Sequence, residues 1–405
     1  MRLNNPVLPA QEEWIPMPEG SELMVLPHRH PVGYDPKRGR FVILKNHAGQ
    51  PVLATAVFMA PAYTQLYRAA FVSHPHAPVL PLFAYSPVGW KNDRFWVTAI
   101  RVDQDVRQDP AQLDPRRVEK SAVQLLSRYP GNRLVEHLVR RCVREYRCPN
   151  AQNFVLGRWE CPVPTSPFCS AGCVGCISEQ QQGGVMSTQN RITFVPTEEE
   201  ILAYTVPHLR SADRGMISFG QGCEGEPLLQ GKLIESVIQK IRRQTNRGTI
   251  HLNTNAGHPE TVDRLFRAGL DSIRISINSA RPPLYEKYHR PKLYRWTDVL
   301  KSIRVARDHN AWISINYFIF PGLTDSASEM EALIGLLKSV RIDCIQMRNL
   351  NIDPEWYIRE LDLKSDVKDC VGMLRWQETV RKHAPWIRFG YFNPPKEDWG
   401  RASRS

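Results

Sequence analysis

The chain has 405 residues, 42% apolar and 23% charged, which is ordinary globular composition and enough for one large domain plus a smaller one. No apolar run approaches the length needed to cross a bilayer, and the first residues lack the charged-then-apolar order of a signal peptide, so a cytoplasmic protein with no membrane partner is expected. Lysine plus arginine exceed aspartate plus glutamate by 53 to 41, a net charge of +12 that would suit RNA, a nucleotide or an acidic peptide; with no Lys/Arg block or basic–aromatic repeat, dispersed surface arginine accounts for it.

In chain order, residues 1 to about 110 read as strands and proline-rich turns. The runs Arg40 to Asn46 and Val52 to Phe58 flank Ala48-Gly49-Gln50 as a hairpin, and Arg94 to Val102 alternates as a further strand. From Asn132 to Tyr146 the spacing predicts a helix, with Leu134, Val135, Leu138, Val139, Cys142, Val143 and Tyr146 on one face. After residue 150 strand and helix alternate. Strands are predicted at Asn153–Trp159, Gly215–Phe219, Thr249–Asn255, Asp271–Asn278, Trp312–Phe320 and Ile342–Leu350, and helices near 198–209, 229–244, 259–268, 296–309 and 326–339. This rhythm argues for parallel βα units, as a doubly wound sheet or a curved partial barrel. Residues 354–384 read as helical, with a last strand at Trp386–Phe392 before a polar tail.

Three of the nine cysteines fall within eight residues, Cys169-Ser-Ala-Gly-Cys173-Val-Gly-Cys176, just after the first predicted strand. In a reducing compartment such crowding points to metal rather than disulfides. Thiolates are soft donors suited to iron–sulfur clusters, and three of them on a four-iron cube leave one iron open to a further ligand. A zinc site would need a fourth ligand from Cys161, Cys223 or a distant histidine. A thioredoxin-like dithiol at Cys173 and Cys176 leaves Cys169 unexplained. Buried structural cysteines are the third alternative.

A second signal, Ser218-Phe-Gly-Gln-Gly-Cys-Glu-Gly-Glu226-Pro227, ends the next strand. Its glycines permit close backbone approach to a ligand, and Glu226 can accept hydrogen bonds from an ammonium group. The third signal is alternation. Polar residues of Thr249–Asn255 (His251, Asn253, Asn255), of Ser272–Asn278, of Ser314 and Asn316, and of Cys344, Gln346 and Arg348 alternate with apolar neighbours. Parallel strands buried on both faces are apolar on both. A barrel with a polar, ligand-holding lumen fits better.

Together these residues resemble the radical S-adenosylmethionine superfamily over about residues 150–352. The motifs are the C-x3-C-x2-C loop, the Gly-Glu-Pro turn, the polar residues of the fourth strand and Ile319-Phe-Pro-Gly-Leu-Thr-Asp325 after the fifth. The resemblance implies an α/β fold, a partial (β/α)6 TIM-like barrel. It implies an oxygen-sensitive [4Fe-4S] cluster on Cys169, Cys173 and Cys176, whose open iron chelates S-adenosylmethionine. It also implies that Gly225, Glu226 and Pro227 hold the amino group, that Ser276 and Asn278 lie near the ribose and Ile319 near the adenine. Reductive cleavage would yield a 5′-deoxyadenosyl radical that takes hydrogen from the substrate, with a reductant protein such as flavodoxin or ferredoxin as electron donor. The family often has an aromatic residue just before the third cysteine, where this chain has Gly175, and Gly-Cys-Glu-Gly-Glu-Pro departs from the usual Gly-Gly-Glu-Pro.

The resulting division is an N-terminal β-rich accessory domain at 1–130, a helical connector at 131–152, the barrel at 153–352 and a helical and strand extension at 353–405. His251, Asn253, Arg274, Gln346 and Arg348 are the candidate substrate-facing residues of the lumen. Cys142, Cys148 and Cys161 leave a second metal site open although their spacing is irregular and Cys142, on the apolar helix face, reads as core; His28, His30, His74 and His76 read as surface loop histidines, with a metal or substrate role as the alternative. Two other classes of function stay open: a non-catalytic iron–sulfur or zinc protein that binds nucleic acid, and an activating partner that acts on a second protein. The substrate, whether small molecule, peptide or RNA, is not named by any residue.

Overall fold

The computed structural model describes residues 1–2, 5–180, 184–363 and 369–400. A seven-stranded parallel sheet lies at its centre: β1 (Glu160–Val163), β2 (Met216–Phe219), β3 (Thr249–Thr254), β4 (Ser272–Ile277), β5 (Trp312–Ile319), β6 (Cys344–Asn349) and β7 (Arg388–Gly390), hydrogen-bonded in that order. With right-handed crossovers, sequential order sends every connecting helix to the same face, and the sheet curls around the other. A doubly wound sheet would reverse its order at a switch point. The fold is therefore the partial TIM-like barrel, with β7 from the C-terminal extension pairing Arg388, Phe389 and Gly390 with Cys344, Ile345 and Gln346.

The helices α1 (Glu198–Ser211), α2 (Gly231–Gln244), α3 (Pro259–Ala268), α4 (Trp296–Asp308), α5 (Ala327–Ser339) and α6 (Met373–His383) cover the outer face. Period-two alternation divides each strand between that face and the lumen. Ile273, Ile275 and Ile277 of β4 and Ile313, Ile315 and Tyr317 of β5 are fully buried with Ile234, Val237, Ile238 and Ile241 of α2 and Val299 and Ile303 of α4. The intervening Ser272, Arg274, Ser276, Ser314 and Asn316 are the polar set of the inner face.

Two predicted elements differ. Asn153–Trp159 is not the first strand: Pro149–Val155 is a helix, and the barrel begins at Glu160. Pro149 occupies the first helical turn, where its missing N–H costs nothing, and Gly157 takes the left-handed turn (φ 70°) that ends the segment. In the N-terminal region, Ala54–Phe58 pairs with Glu22–Leu26 and Arg40–Ile43 with Arg29–Asp35, rather than with each other. The tight turn at Ala48-Gly49, with both φ positive (48° and 79°), closes only the short pair Asn46–His47 and Gln50–Pro51. The strand Arg94–Arg101 is present as expected.

The helical run predicted from Asn132 is capped by the Asn132 side chain, which accepts from the N–H groups of Leu134 and Val135. It is α-helical at Arg133–His137 and widens to i→i+5 bonding at Leu138–Glu145, with Leu134, Val135, Leu138, Val139, Cys142 and Val143 buried. The expected helical stretch 354–384 contains helices at Pro354–Glu360 and α6; residues 364–368 within it, and the tail from 401, lie outside the described residues. No helix among the described residues is long and apolar enough to cross a membrane.

The N-terminal strands lie against the barrel edge and mouth. Thr64 Oγ1 donates to Met347 O at 2.8 Å and Asn349 Nδ2 to Tyr63 O at 3.0 Å, along β6. Arg29, 2% exposed, donates to Asp353 at 3.0 Å, tying this region to the loop that leads into Pro354–Glu360.

Candidate functional site

Cys169, Cys173 and Cys176 stand on the loop that leaves β1 at the C-terminal mouth of the barrel, the end where parallel barrels carry their chemistry. All three are partly buried. The loop is sewn to the segment after the helix Pro282–His289: Gly172 N donates to His289 O (3.0 Å), Val174 N to Tyr288 O (2.9 Å) and Lys292 N to Ser170 O (2.9 Å). Burial pushes the Cys169 thiol up to about 11, with the Glu226 carboxylate adding to the rise, and raises Cys173 well above the usual thiol range. A bound cation is what would draw these protons off. Arg191 brings a positive charge, its Nη2 3.8 Å from Cys176 Sγ and its Nη1 2.5 Å from Glu179. His289, which the sequence reading missed, places Nδ1 3.4 Å from Cys173 Sγ. Burial pushes its imidazole down to about 3, so it is neutral.

The turn after β2 binds the cysteine loop residue by residue. Glu224 Oε2 accepts from Thr165 N (2.7 Å), Thr165 Oγ1 (3.1 Å) and Ser166 N (2.9 Å), and Oε1 from Gly220 N (2.8 Å) and Gln221 N (2.7 Å). Burial pushes this carboxyl up to about 8 while those donors pull it down. Because every near donor points at its oxygens, the carboxylate is the form this geometry accommodates. Gly225 N donates to Ser166 O and Glu226 N to Phe168 O, both at 2.7 Å. A Cβ at Gly225 would stand 1.9 Å from Phe168 O, so only glycine permits the approach. The Glu226 carboxylate turns to β3, accepting from Thr254 Oγ1, from Asn255 N (2.8 Å) and from Leu228 N (3.0 Å), and burial pushes it up to about 7. Pro227 starts the short turn that leads into α2.

The expected lumen residues share the inner face but differ in what they are free to do. His251 Nδ1 is 2.6 Å from Ser272 Oγ and its Nε2 2.9 Å from Asn253 Oδ1, while Asn253 Nδ2 donates to Phe219 O. Gln346 accepts from Arg274 Nη1 (2.9 Å) and donates to Asn393 Oδ1 (2.7 Å). Asn393 also donates to Glu160 Oε1 at 3.1 Å, and Ser218 Oγ donates to the same oxygen. These buried groups form a closed polar floor in which Glu160 and Asn393 are central, though neither was anticipated: one sat beyond the misplaced first strand and the other in the C-terminal segment. Burial, with Arg274 adding to it, pushes His251 down to about 4; burial, with Arg348 adding to it, brings Arg274 down to about 9.

Above the floor, Arg274 and Arg348 are only partly buried and their Nε atoms have no partner; Asn278 Oδ1 and Asn316 Oδ1 are likewise buried without one. Arg348 stacks over Tyr391 at 3.8 Å. Buried polar atoms left unpaired on one inner face are what a polar ligand would satisfy. Ser276 lies partly exposed beside them. Asn278 spends its amide nitrogen on Leu284 O and Tyr357 Oη, both at 3.2 Å. By alternation the Ile319 side chain shares the outer face with Tyr317, which donates to Glu329 of α5, and it is fully buried in the helix-side core. Its side chain therefore does not line the lumen.

The radical SAM superfamily model matches residues 163–336, from the end of β1 through most of α5. Residues 163–336 are a radical SAM domain. Among curated proteins it is 30% identical over 103 residues to a GTP 3′,8-cyclase of Streptomyces coelicolor, covering 25% of this chain and 29% of that protein. Solved structures similar to it include a radical SAM methyltransferase from Sphaerobacter thermophilus (15% identity, TM-score 0.39, 57% of this chain and 66% of that one). Another is Streptococcus suis SuiB bound to precursor peptide SuiA (16% identity, TM-score 0.40, 60% and 53%). The chain thus spans under a third of the curated relative and about half to two-thirds of these structures.

Within this radical SAM domain, the Gly175 departure has a steric cause. A Cβ at 175 would stand 2.9 Å from the Tyr288 hydroxyl and 3.4 Å from Asn351 O, so no aromatic side chain fits there. An aromatic layer of Tyr288, Phe318 and Tyr357 occupies the mouth beside it, with ring centroids 5.6 and 5.8 Å apart. The donor set suits an iron–sulfur cluster. Among the described residues, the one group of three ligand atoms gathered within 4.8 Å lies elsewhere, so the three loop thiols are spread wider than a single small ion requires.

Proposed function

We propose that the chain is a radical S-adenosylmethionine enzyme whose Cys169, Cys173 and Cys176 hold a [4Fe-4S] cluster at the barrel mouth. The observation that carries the reading is that the Gly225-Glu226 backbone is hydrogen-bonded directly onto the cysteine loop, above an inner face with unpaired polar atoms. When bound, the cluster and S-adenosylmethionine supply a 5′-deoxyadenosyl radical able to abstract hydrogen, with an electron from a flavodoxin- or ferredoxin-like reductant.

The chain's own residues do the rest. Gly225, Glu226 and Pro227 form the turn at which the cosubstrate's amino group is held. Ser276 and Asn278 offer polar contacts at the C-terminal end of β4. The aromatic layer of Tyr288, Phe318 and Tyr357 excludes water from the mouth. Arg274 and Arg348 face inward with unpaired Nε–H groups and favour an anionic substrate, while the floor of His251, Asn253, Gln346, Glu160 and Asn393 sets the depth it reaches.

Anaerobic reconstitution with iron and sulfide, reduction and incubation with S-adenosylmethionine test the reading. 5′-Deoxyadenosine from the native chain but not from Cys173→Ala is the expected result. Failure to take up iron, with zinc held on the three loop thiols instead, would overturn it.

A further inference from the structure

A second group of soft donors meets below the mouth, in the core. Cys142 lies on the helical run Arg133–Glu145 and Cys223 on the turn after β2; their Sγ atoms are 3.5 Å apart, and the residues are 3% and 4% exposed. A ring nitrogen of His137 completes a set of three donor atoms that all lie within 4.8 Å of one another. His137 Nε2 is shielded from solvent and has no hydrogen-bond partner, an unusual state for a buried imidazole nitrogen.

The local backbone makes this meeting feasible. His137 and Cys142 are five residues apart, and in an α-helix such residues point about 140° away from each other. Leu138–Glu145 instead bonds i→i+5, as in Tyr146 N to Arg141 O at 2.8 Å, and a turn of that width stacks residues five apart on one side. Widened turns are uncommon and concentrate at functional sites. Here the widening lets one helix present both an imidazole and a thiol to Cys223, which is 81 residues further along the chain than Cys142.

We propose that His137, Cys142 and Cys223 bind a single soft divalent ion, zinc by donor chemistry. Two thiolates and an imidazole are among zinc's usual ligands. Sulfurs bound about 2.3 Å from one tetrahedral ion stand roughly 3.7 Å apart, close to the separation seen here. The corners of a cubane cluster hold their thiolates wider, so this is not a second cluster of that kind. Cys148 is the next thiol out, its backbone N–H bonded to Cys142 O at 2.8 Å, and it or a water takes the fourth position. The ion is structural: it ties the helical run before the barrel to the turn that carries Glu224, Gly225 and Glu226, and so holds the cosubstrate turn from behind.

The test needs neither iron nor S-adenosylmethionine, so it succeeds or fails independently of the proposed function. The full chain carrying C169A, C173A and C176A is stripped of metal and titrated anaerobically with Co2+, then with Zn2+. The expected result is one equivalent of Co2+ bound with thiolate-to-cobalt absorption and tetrahedral d–d bands, displaced by one equivalent of Zn2+. Adding His137→Ala or Cys142→Ala weakens binding at least about tenfold. Since the parent protein leaves this site intact, the first titration stands even if a ligand variant fails to fold. Absence of a thiolate–cobalt band, or an unchanged titration in Cys142→Ala, would overturn the proposal. So would a Cys142–Cys223 disulfide in chain isolated without air, which would make the pair a redox couple.

Discussion

Cys169, Cys173 and Cys176 come from one short loop at the mouth of the barrel, whereas Cys142 and Cys223 come from segments 81 residues apart and meet in the core. The loop thiols are partly open and spread; the core thiols are closed and near van der Waals contact. An arrangement with reachable ligands and an open position suits chemistry, and a closed one suits structure. Between them runs the turn after β2, whose consecutive residues serve both: Cys223 faces Cys142 in the core, Glu224 and Gly225 clamp the cysteine loop, and Glu226 reaches β3. The mouth is thus held in place by groups other than the loop thiols.

Cys173→Ala should separate the two regions most strongly. It should reduce 5′-deoxyadenosine formation to background while changing unfolding stability by about 1 kcal/mol or less. A large stability loss would make the loop thiols structural too. Glu224→Gln should do the opposite. An amide must turn its NH2 towards backbone N–H groups, so we expect a loss of about 3–5 kcal/mol in urea denaturation. Stability unchanged in that variant would mean that the clamp is unimportant.

The lumen floor offers a pH control remote from either set of sulfurs. His251 is held near 4 in the folded chain against 6.5 when unfolded, so the unfolded state takes up its proton first. Its stabilising contribution is whole above about pH 6.5 and is lost as pH falls towards 4, by at most about 3 kcal/mol. Denaturation midpoints of the native chain and His251→Gln, measured from pH 7 to 4.5, should show a shallower acid limb in the variant; parallel limbs would refute this. The smallest effect expected is that of Gly225→Ala, about 2 kcal/mol of strain from the Cβ against Phe168 O, read as a lowered unfolding midpoint with slower iron uptake. An unaltered midpoint would show that the loop can move aside.

Periodicity made most of the barrel legible in the sequence. The alternation of isoleucine with polar residues in Ser272–Asn278 and the apolar stripes of the helices are local signals, and α3 and β4 lie within a residue of where spacing puts them. The three loop cysteines were equally legible, because they lie within eight residues of one another. The first strand was not: Asn153–Trp159 carries apolar residues that suit strand or helix, and Pro149 together with tertiary packing decided for helix.

Spacing over a few residues thus set the βα rhythm, the sidedness of the strands and the triad of loop thiols. Tertiary packing brings Glu160 and Asn393 together under the lumen, lets Glu224 lock two loops, sets Tyr288 beside Gly175 and turns His137 and Cys142 towards Cys223. Each of these joins residues far apart in the chain, and their meeting depends on strand order and helix packing, which local spacing does not encode.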